Sequence, residues 1–230
     1  MSKILCVFPN DPSTRFLEKL SWELNKHFDS NFHCFKVKPN KSSHTKCLDR
    51  IKMGNDELIL FLGHGQSDKL FGAITNNFNT FHTDSEDFFI HDDFINKENI
   101  NVFSNKKVIC LSCNSNDKIG KWAVDSGTKV FLGFGDIPTD WLTEYERLKI
   151  SKFDVFAFRC LMRDIILKSI IYVGAHNMTF KALDKVIKIF VNRTIYYGKY
   201  PYKIKNLSWV NDRLCYFKDE IKVYGDKDLN

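Results

Sequence analysis

Five short apolar runs, separated by segments of helical spacing, constrain this chain more than any other feature. They are Lys3–Phe8 (KILCVF), Phe32–Val37 (FHCFKV), Glu57–Leu62 (ELILFL), Lys107–Ser112 (KVICLS) and Thr128–Leu132 (TKVFL). Runs of this length, closed by Pro, Gly, Asn or Asp, read as buried strands. Asp11-Pro12 signals entry to a helix carrying Phe16, Leu17, Leu20 and Leu24 on one face. Ser42–Met53 reads as a helix ending at Gly54, and Asp117–Ser126 as a helix capped by Gly127. The stretch Asp84–Asn96 reads as partly helical. Strands alternating with helices require crossover connections, hence an α/β fold with a mostly parallel central sheet and helices on both faces.

The second half has a different rhythm. Lys152–Ile171 and Asn177–Tyr197 carry apolar residues at helical spacing, and two long helices joined at Gly174 are expected. A basic, Tyr-rich loop follows from Tyr197 to Lys205, and Arg213–Tyr224 (LCYF, then EIKVY) reads as a terminal β-hairpin. The expected organisation is one domain over residues 1–230, with a core at 1–150 and a helical and hairpin part at 151–230.

Composition narrows the class. Of 230 residues 43% are apolar, with 21 Phe and only 5 Pro, which suits a packed core and excludes a linker or collagenous chain. The seven cysteines are an odd number at irregular spacing, a poor disulfide framework. No run reaches the about 18 apolar residues of a membrane span, and the N-terminal apolar run is too short for a signal peptide. A cytoplasmic chain with reduced thiols is expected. The net charge of +6 rests on 27 Lys and 7 Arg. Phosphate clamps favour Arg, so this balance argues against a nucleic-acid partner.

In an open parallel sheet, ligands bind beyond the carboxyl ends of the strands. There the third strand is followed by Gly63-His64-Gly65, the fourth by Cys113-Asn114-Ser115 and the fifth by Gly133-Phe134-Gly135-Asp136. A cysteine nucleophile needs an imidazole to take its proton and return it to the leaving amine. His64 and Cys113 supply that pair. The amides of Gly65 and Cys113 are the expected oxyanion donors. His64 lies 49 residues upstream of Cys113, a spacing given for caspases.

These residues resemble a known family. Strand-Gly63-His64-Gly65, then Leu70-Phe71-Gly72, then Cys110-Leu111-Ser112-Cys113-Asn114-Ser115 are similar to caspase-like cysteine peptidases of the CHAT-domain group, relatives of separases, metacaspases and caspases. The group's usual Leu-Ser-Ala-Cys-acidic-Ser places Cys110 at the Leu and Ser112 at the Ala position, so Cys113 is the cysteine to carry over. Asn114 departs from the acidic residue. The resemblance covers about residues 57–140. It implies a caspase-like three-layer sandwich and an endopeptidase with a Cys-His dyad, no metal and no other cofactor. It also implies a protein substrate, encoded nearby in some cases, and roles in bacterial antiphage defence or regulated cell death. Gly133–Asp140 resembles the separase-like segment in which an Asp builds the primary specificity pocket. Asp136 or Asp140 in that role would direct cleavage after Lys or Arg. Asp117 is a third candidate, although its place at a helix start gives it a capping role.

Rival signals are weaker. Cys110-x-x-Cys113 falls partly inside a strand, where residues three apart face opposite sides, so it forms neither a redox pair nor a zinc clamp. Neither Gly-x-Gly continues into a phosphate loop, and no Gly-x-Ser-x-Gly elbow exists. Asp92-Asp93 reads as a helix cap or entry. The basic, aromatic stretch from Lys181 to Lys205 reads as the solvated face of a helix and its following loop; contact with nucleic acid, with a membrane or with a partner such as a regulatory protein is the alternative. The principal alternative to an enzyme is an inactive caspase-like module acting in protein interaction or regulation. A flavodoxin-like binding domain would hold His64 and Cys113 apart.

Overall fold

A computed structural model describes residues 3–74, 93–138 and 141–230, without the side chains of Pro12 and Trp141. The strands are β1 (Ile4–Pro9), β2 (Phe32–Val37), β3 (Leu58–Leu62), β4 (Gly65–Gln66), β5 (Lys69–Phe71), β6 (Asp93–Asn96), β7 (Lys107–Leu111), β8 (Val130–Gly133) and β9 (Lys222–Gly225). The α-helices are α1 (Glu18–Phe28), α2 (Lys41–Met53), α3 (Lys118–Asp125), α4 (Trp141–Leu148), α5 (Lys152–Ala175), α6 (Phe180–Tyr197) and α7 (Leu207–Asp219).

The main sheet has the order β2-β1-β3-β7-β8-β9. Its first five strands are parallel, and β9 closes the edge antiparallel to β8. Strands covered on both faces need apolar residues along their length, which is why β1 and, after Lys107, β7 are continuous hydrophobic runs, buried throughout. Alternate side chains feed two cores. Ile4, Cys6, Leu60, Ile109 and Leu132 meet α1, α5, α6 and α7. Leu5, Val7, Ile59, Cys110 and Phe131 meet α2, α3 and the small β4-β5-β6 sheet. The result is an α/β three-layer arrangement, compatible with a caspase-like fold.

Side-chain caps fix the helix starts. Asn40, Ser151, Thr179 and Asn206 each accept a backbone N–H in the first turn of α2, α5, α6 and α7. Each such cap contributes about 1 kcal/mol.

Three expectations are corrected. The terminal β-hairpin is absent: Arg213–Phe217 belongs to α7, and only Lys222–Gly225 is a strand. Trp209, Val210, Leu214 and Phe217 make one buried helical face, and packing of that face against α5 and α6 overrides the β-propensity of the Leu-Cys-Tyr-Phe run. Asp93–Asn96 is a strand paired with β5, not helix, and residues 84–92 lie outside the described residues. The long helices turn at residues 176–179, so Gly174 sits within α5. A Cβ at Gly174 would stand 2.9 Å from the Phe28 ring, so that glycine permits α5 to close on α1.

An apolar cavity of ≈ 390 Å³ lies at the amino ends of the strands beside Ile4, Leu58 and Lys107. It is on the opposite edge of the sheet from His64 and Cys113.

Candidate functional site

The register of two strands brings the site together. In the parallel pair β3–β7, Leu62 stands opposite Leu111. His64 and Cys113 each follow two residues later, so they leave the sheet at the same level on adjacent strands. Both line one narrow cleft with Phe16, Ser112, Ile137 and Met162. Its volume is ≈ 10 Å³, room for about one water.

The turn carrying Cys113 is built by Ser115, whose side chain is fully buried. Its Oγ contacts the carbonyls of Cys110 at 2.8 Å and Ser112 at 2.9 Å, and accepts the Phe134 N–H at 2.9 Å. Asn114 takes a positive φ of 54°, tolerated by Asn, which lets the chain fold back. The Asn114 and Asn116 amides donate to Gly135 O and Phe134 O, tying the turn to the extension of β8. Gly133 has no room for a side chain, since a Cβ would stand 2.7 Å from Asn116 N. The C-terminal region completes the support. The Asn116 side chain donates to Glu220 O at 2.6 Å, and Tyr224 Oη donates to Asn116 O at 2.6 Å.

The imidazole is held by residues after β1, the strand beside β3. His64 Nε2 is 2.6 Å from Ser13 Oγ and 3.5 Å from Asp11 Oδ2. Ser13 in turn contacts Asp11 Oδ1 through its amide at 2.7 Å and its hydroxyl at 2.6 Å. Burial would raise the Asp11 carboxyl, but hydrogen bonds from His64 and from the Ser13 side chain and amide outweigh it and hold Asp11 at about 2. Asp11 is thus an anion that only accepts, so the single Ser13 hydroxyl proton points to it. His64 Nε2 then donates to Ser13 Oγ, and the contacts with Ser13 and Asp11 leave Nδ1 unused.

The Cys113 thiol donates to Ile137 O at 3.4 Å. Burial pushes it up to about 11; backbone hydrogen bonds from Ile137 and from its own amide act downward, and the Asp136 charge acts upward. The thiol is therefore neutral in the substrate-free chain. Asp136 is exposed, close enough for its charge to act on the sulfur. Asp140 lies outside the described residues. Asp117 is exposed at the start of α3, where its side chain makes no capping hydrogen bond, and it does not line the cleft. Gly65 passes against the Cys113 turn, with its Cβ position 3.2 Å from Cys113 O. Asp93 pairs with Lys69 at 2.7 Å on β6.

The other thiols differ in kind. Cys110 is fully buried on the opposite face of the sheet, and burial pushes it up to about 12. Cys34 is exposed and comes down to about 6; a hydrogen bond with Cys6 leads, burial opposes, and Ser21 and Lys36 assist. Among the described residues no cluster of three or more His, Cys, Asp or Glu forms a metal cage.

Sequence reasoning assigned Asp11 to helix entry and gave Ser13 no role at the site. The signal available was the strand end itself: Asp11 and Ser13 follow β1 as His64 follows β3. Only the adjacency of β1 and β3 turns that into a contact. Against models of known protein families and against curated protein sequences, the chain has no match.

Proposed function

We propose that the chain is a cysteine endopeptidase of the caspase-like, CHAT-type group, with Cys113 as nucleophile and His64 as general base and acid. The observation that carries this reading is the convergence of the two side chains in one cleft at the carboxyl ends of β3 and β7. His64 Nδ1 takes the thiol proton as sulfur attacks the peptide carbonyl carbon. The imidazolium then protonates the departing amine, leaving a thioester that water hydrolyses. The amides of Gly65 and Cys113 are the oxyanion donors, and Asp136 selects Lys or Arg before the cut. The substrate is a protein partner, and the resemblance would place the activity in antiphage defence or regulated cell death. The cytoplasm suits free thiols, and among the described residues no helix is long and apolar enough to cross a membrane.

The test compares wild type with Cys113→Ala and His64→Ala on proteins encoded beside it and on fluorogenic peptides. Cleavage by wild type and none by either variant is expected. Cleavage retained by Cys113→Ala rejects the assignment.

A second reading, an inactive regulatory module, is favoured by one observation: the substrate-free thiol sits at about 11 and is bonded to Ile137 O. A peptidyl electrophile separates the two. In a Cys34→Ser background it labels Cys113 in an enzyme and does not in an inactive module.

A further inference from the structure

The basic, Tyr-rich loop after α6 folds back onto the start of α5. There the ammonium groups of Lys152, Lys203 and Lys205 converge on one ring, at 5.8, 5.2 and 5.4 Å from the centre of Phe153. All three lysines are exposed, and among the described residues none of them pairs with a carboxylate. Among the described residues, the acids Asp154 and Asp164 of α5 are already used. Asp154 is buried and accepts from Ser151 Oγ and from the amides of Lys205 and Asn206. Asp164 is bonded to Arg163 and to Tyr202 Oη. Three like charges held this close repel one another, and an anion seated among them relieves that repulsion.

Beside them α5 forms an open groove of ≈ 450 Å³ lined by Lys152, Phe153, Val155, Phe156 and Arg159. Phe156 is 55% exposed, a large apolar surface left to solvent at the centre of a cationic patch. The groove adjoins the cleft. The Arg159 guanidinium lies 5.4 Å from the ring centre of Phe16, which itself walls the cleft of His64 and Cys113.

The geometry points to this groove as an exosite for an acidic, partly apolar segment of the protein substrate. It rests on the peptidase reading for calling that segment a substrate's. Carboxylates meet Lys152, Lys203 and Lys205, and an apolar side chain covers Phe156. A single-stranded nucleic acid fits less well, because base stacking needs free aromatic faces. Phe153 is already ringed by the chain's own lysines, and Phe156 meets Tyr202 edge-on at 6.0 Å. Lysines are also point charges without the bidentate fork that arginine offers a phosphate.

Binding of a short fluorescein-labelled peptide alternating Glu with Leu tests the exosite by anisotropy, using the Cys113→Ala chain. The expected results are saturable binding that weakens with salt, is lost when Lys replaces Glu in the peptide, and falls by roughly tenfold or more in K152E/K203E/K205E. Phe156→Ala weakens it as well, and thermal melts confirm that the variants remain folded. Unchanged affinity in the triple variant overturns the proposal. So does an oligouridylate that binds more tightly and displaces the peptide. Binding needs no turnover, so the two readings fail separately. Loss of peptide binding with cleavage intact removes only the exosite; binding without any cleavage removes only the peptidase.

Discussion

Ser13 braces the back of His64, with its hydroxyl oxygen 2.6 Å from Nε2 and the same oxygen 2.6 Å from the Asp11 carboxylate. The chain Asp11–Ser13–His64 sets both the plane of the imidazole and the nitrogen that carries its proton. Asp11 and Ser13 are positioning residues in this arrangement, since neither reaches the sulfur. Ser13→Ala and Asp11→Asn are expected to lower turnover of a peptide substrate by on the order of 10²-fold or more while leaving KM nearly unchanged. Steady-state kinetics checks this; a rise in KM alone would mean that the two residues contact substrate instead.

Asp11 also links stability to pH. Its folded value of about 2 lies below the ordinary carboxylate value, so it stabilises the fold above about pH 4, and that contribution fades as pH falls through 2. Removing the charge with Asp11→Asn should cost about 2 kcal/mol at pH 7. Urea unfolding of wild type and variant at pH 7 and pH 3 should show the gap narrowing at the lower pH.

Two thiols should separate by pH. Cys34, exposed and held at about 6, exists largely as thiolate at neutral pH, whereas Cys113 at about 11 does not. Iodoacetamide at pH 7 is therefore expected to label Cys34 first. Its rate should level off near pH 8, while labelling of Cys113 keeps rising toward pH 11. Peptide mapping by mass spectrometry reads both. Early labelling of Cys113 at pH 7 would show that His64 already holds the thiol proton without substrate.

Asp136 is expected to act in two opposite senses. Its charge raises the Cys113 thiol, so Asp136→Asn should lower that value and speed alkylation at pH 9. The same substitution should reduce any preference for Lys or Arg before the cut. A fluorogenic peptide panel measures the second effect, and an unchanged profile would move the specificity pocket elsewhere.

The Cys113 turn should be intolerant of small changes. Ser115→Ala leaves the buried Phe134 N–H without its acceptor, at a cost of about 1–3 kcal/mol. Gly133→Ala drives a methyl into the backbone of Ser115 and Asn116, which cannot rotate away as a side chain could. It is expected to cost about 2–3 kcal/mol. Denaturant titration gives both values.

The sequence carried the sheet and the two candidate site residues for one physical reason. Parallel strands buried on both faces have to be apolar without interruption, so β1, β3, β7 and β8 announce themselves, and whatever polar residue follows them lies on the ligand edge. His64 and Cys113 are legible on those grounds. Asp11 and Ser13 are not, because their role depends on β1 lying beside β3, and strand order leaves no mark on local composition. The terminal hairpin misled for a different reason. The Leu-Cys-Tyr-Phe run favours a strand locally, but the spacing from Trp209 to Phe217 completes a helical face that only α5 and α6 reveal.

The tether from Tyr224 and Glu220 to Asn116 spans over a hundred residues of chain. During synthesis His64 and Cys113 leave the ribosome long before the residues that hold the nucleophile turn. A nascent chain thus carries His64 and Cys113 without this tether on the Cys113 turn until translation has passed Tyr224.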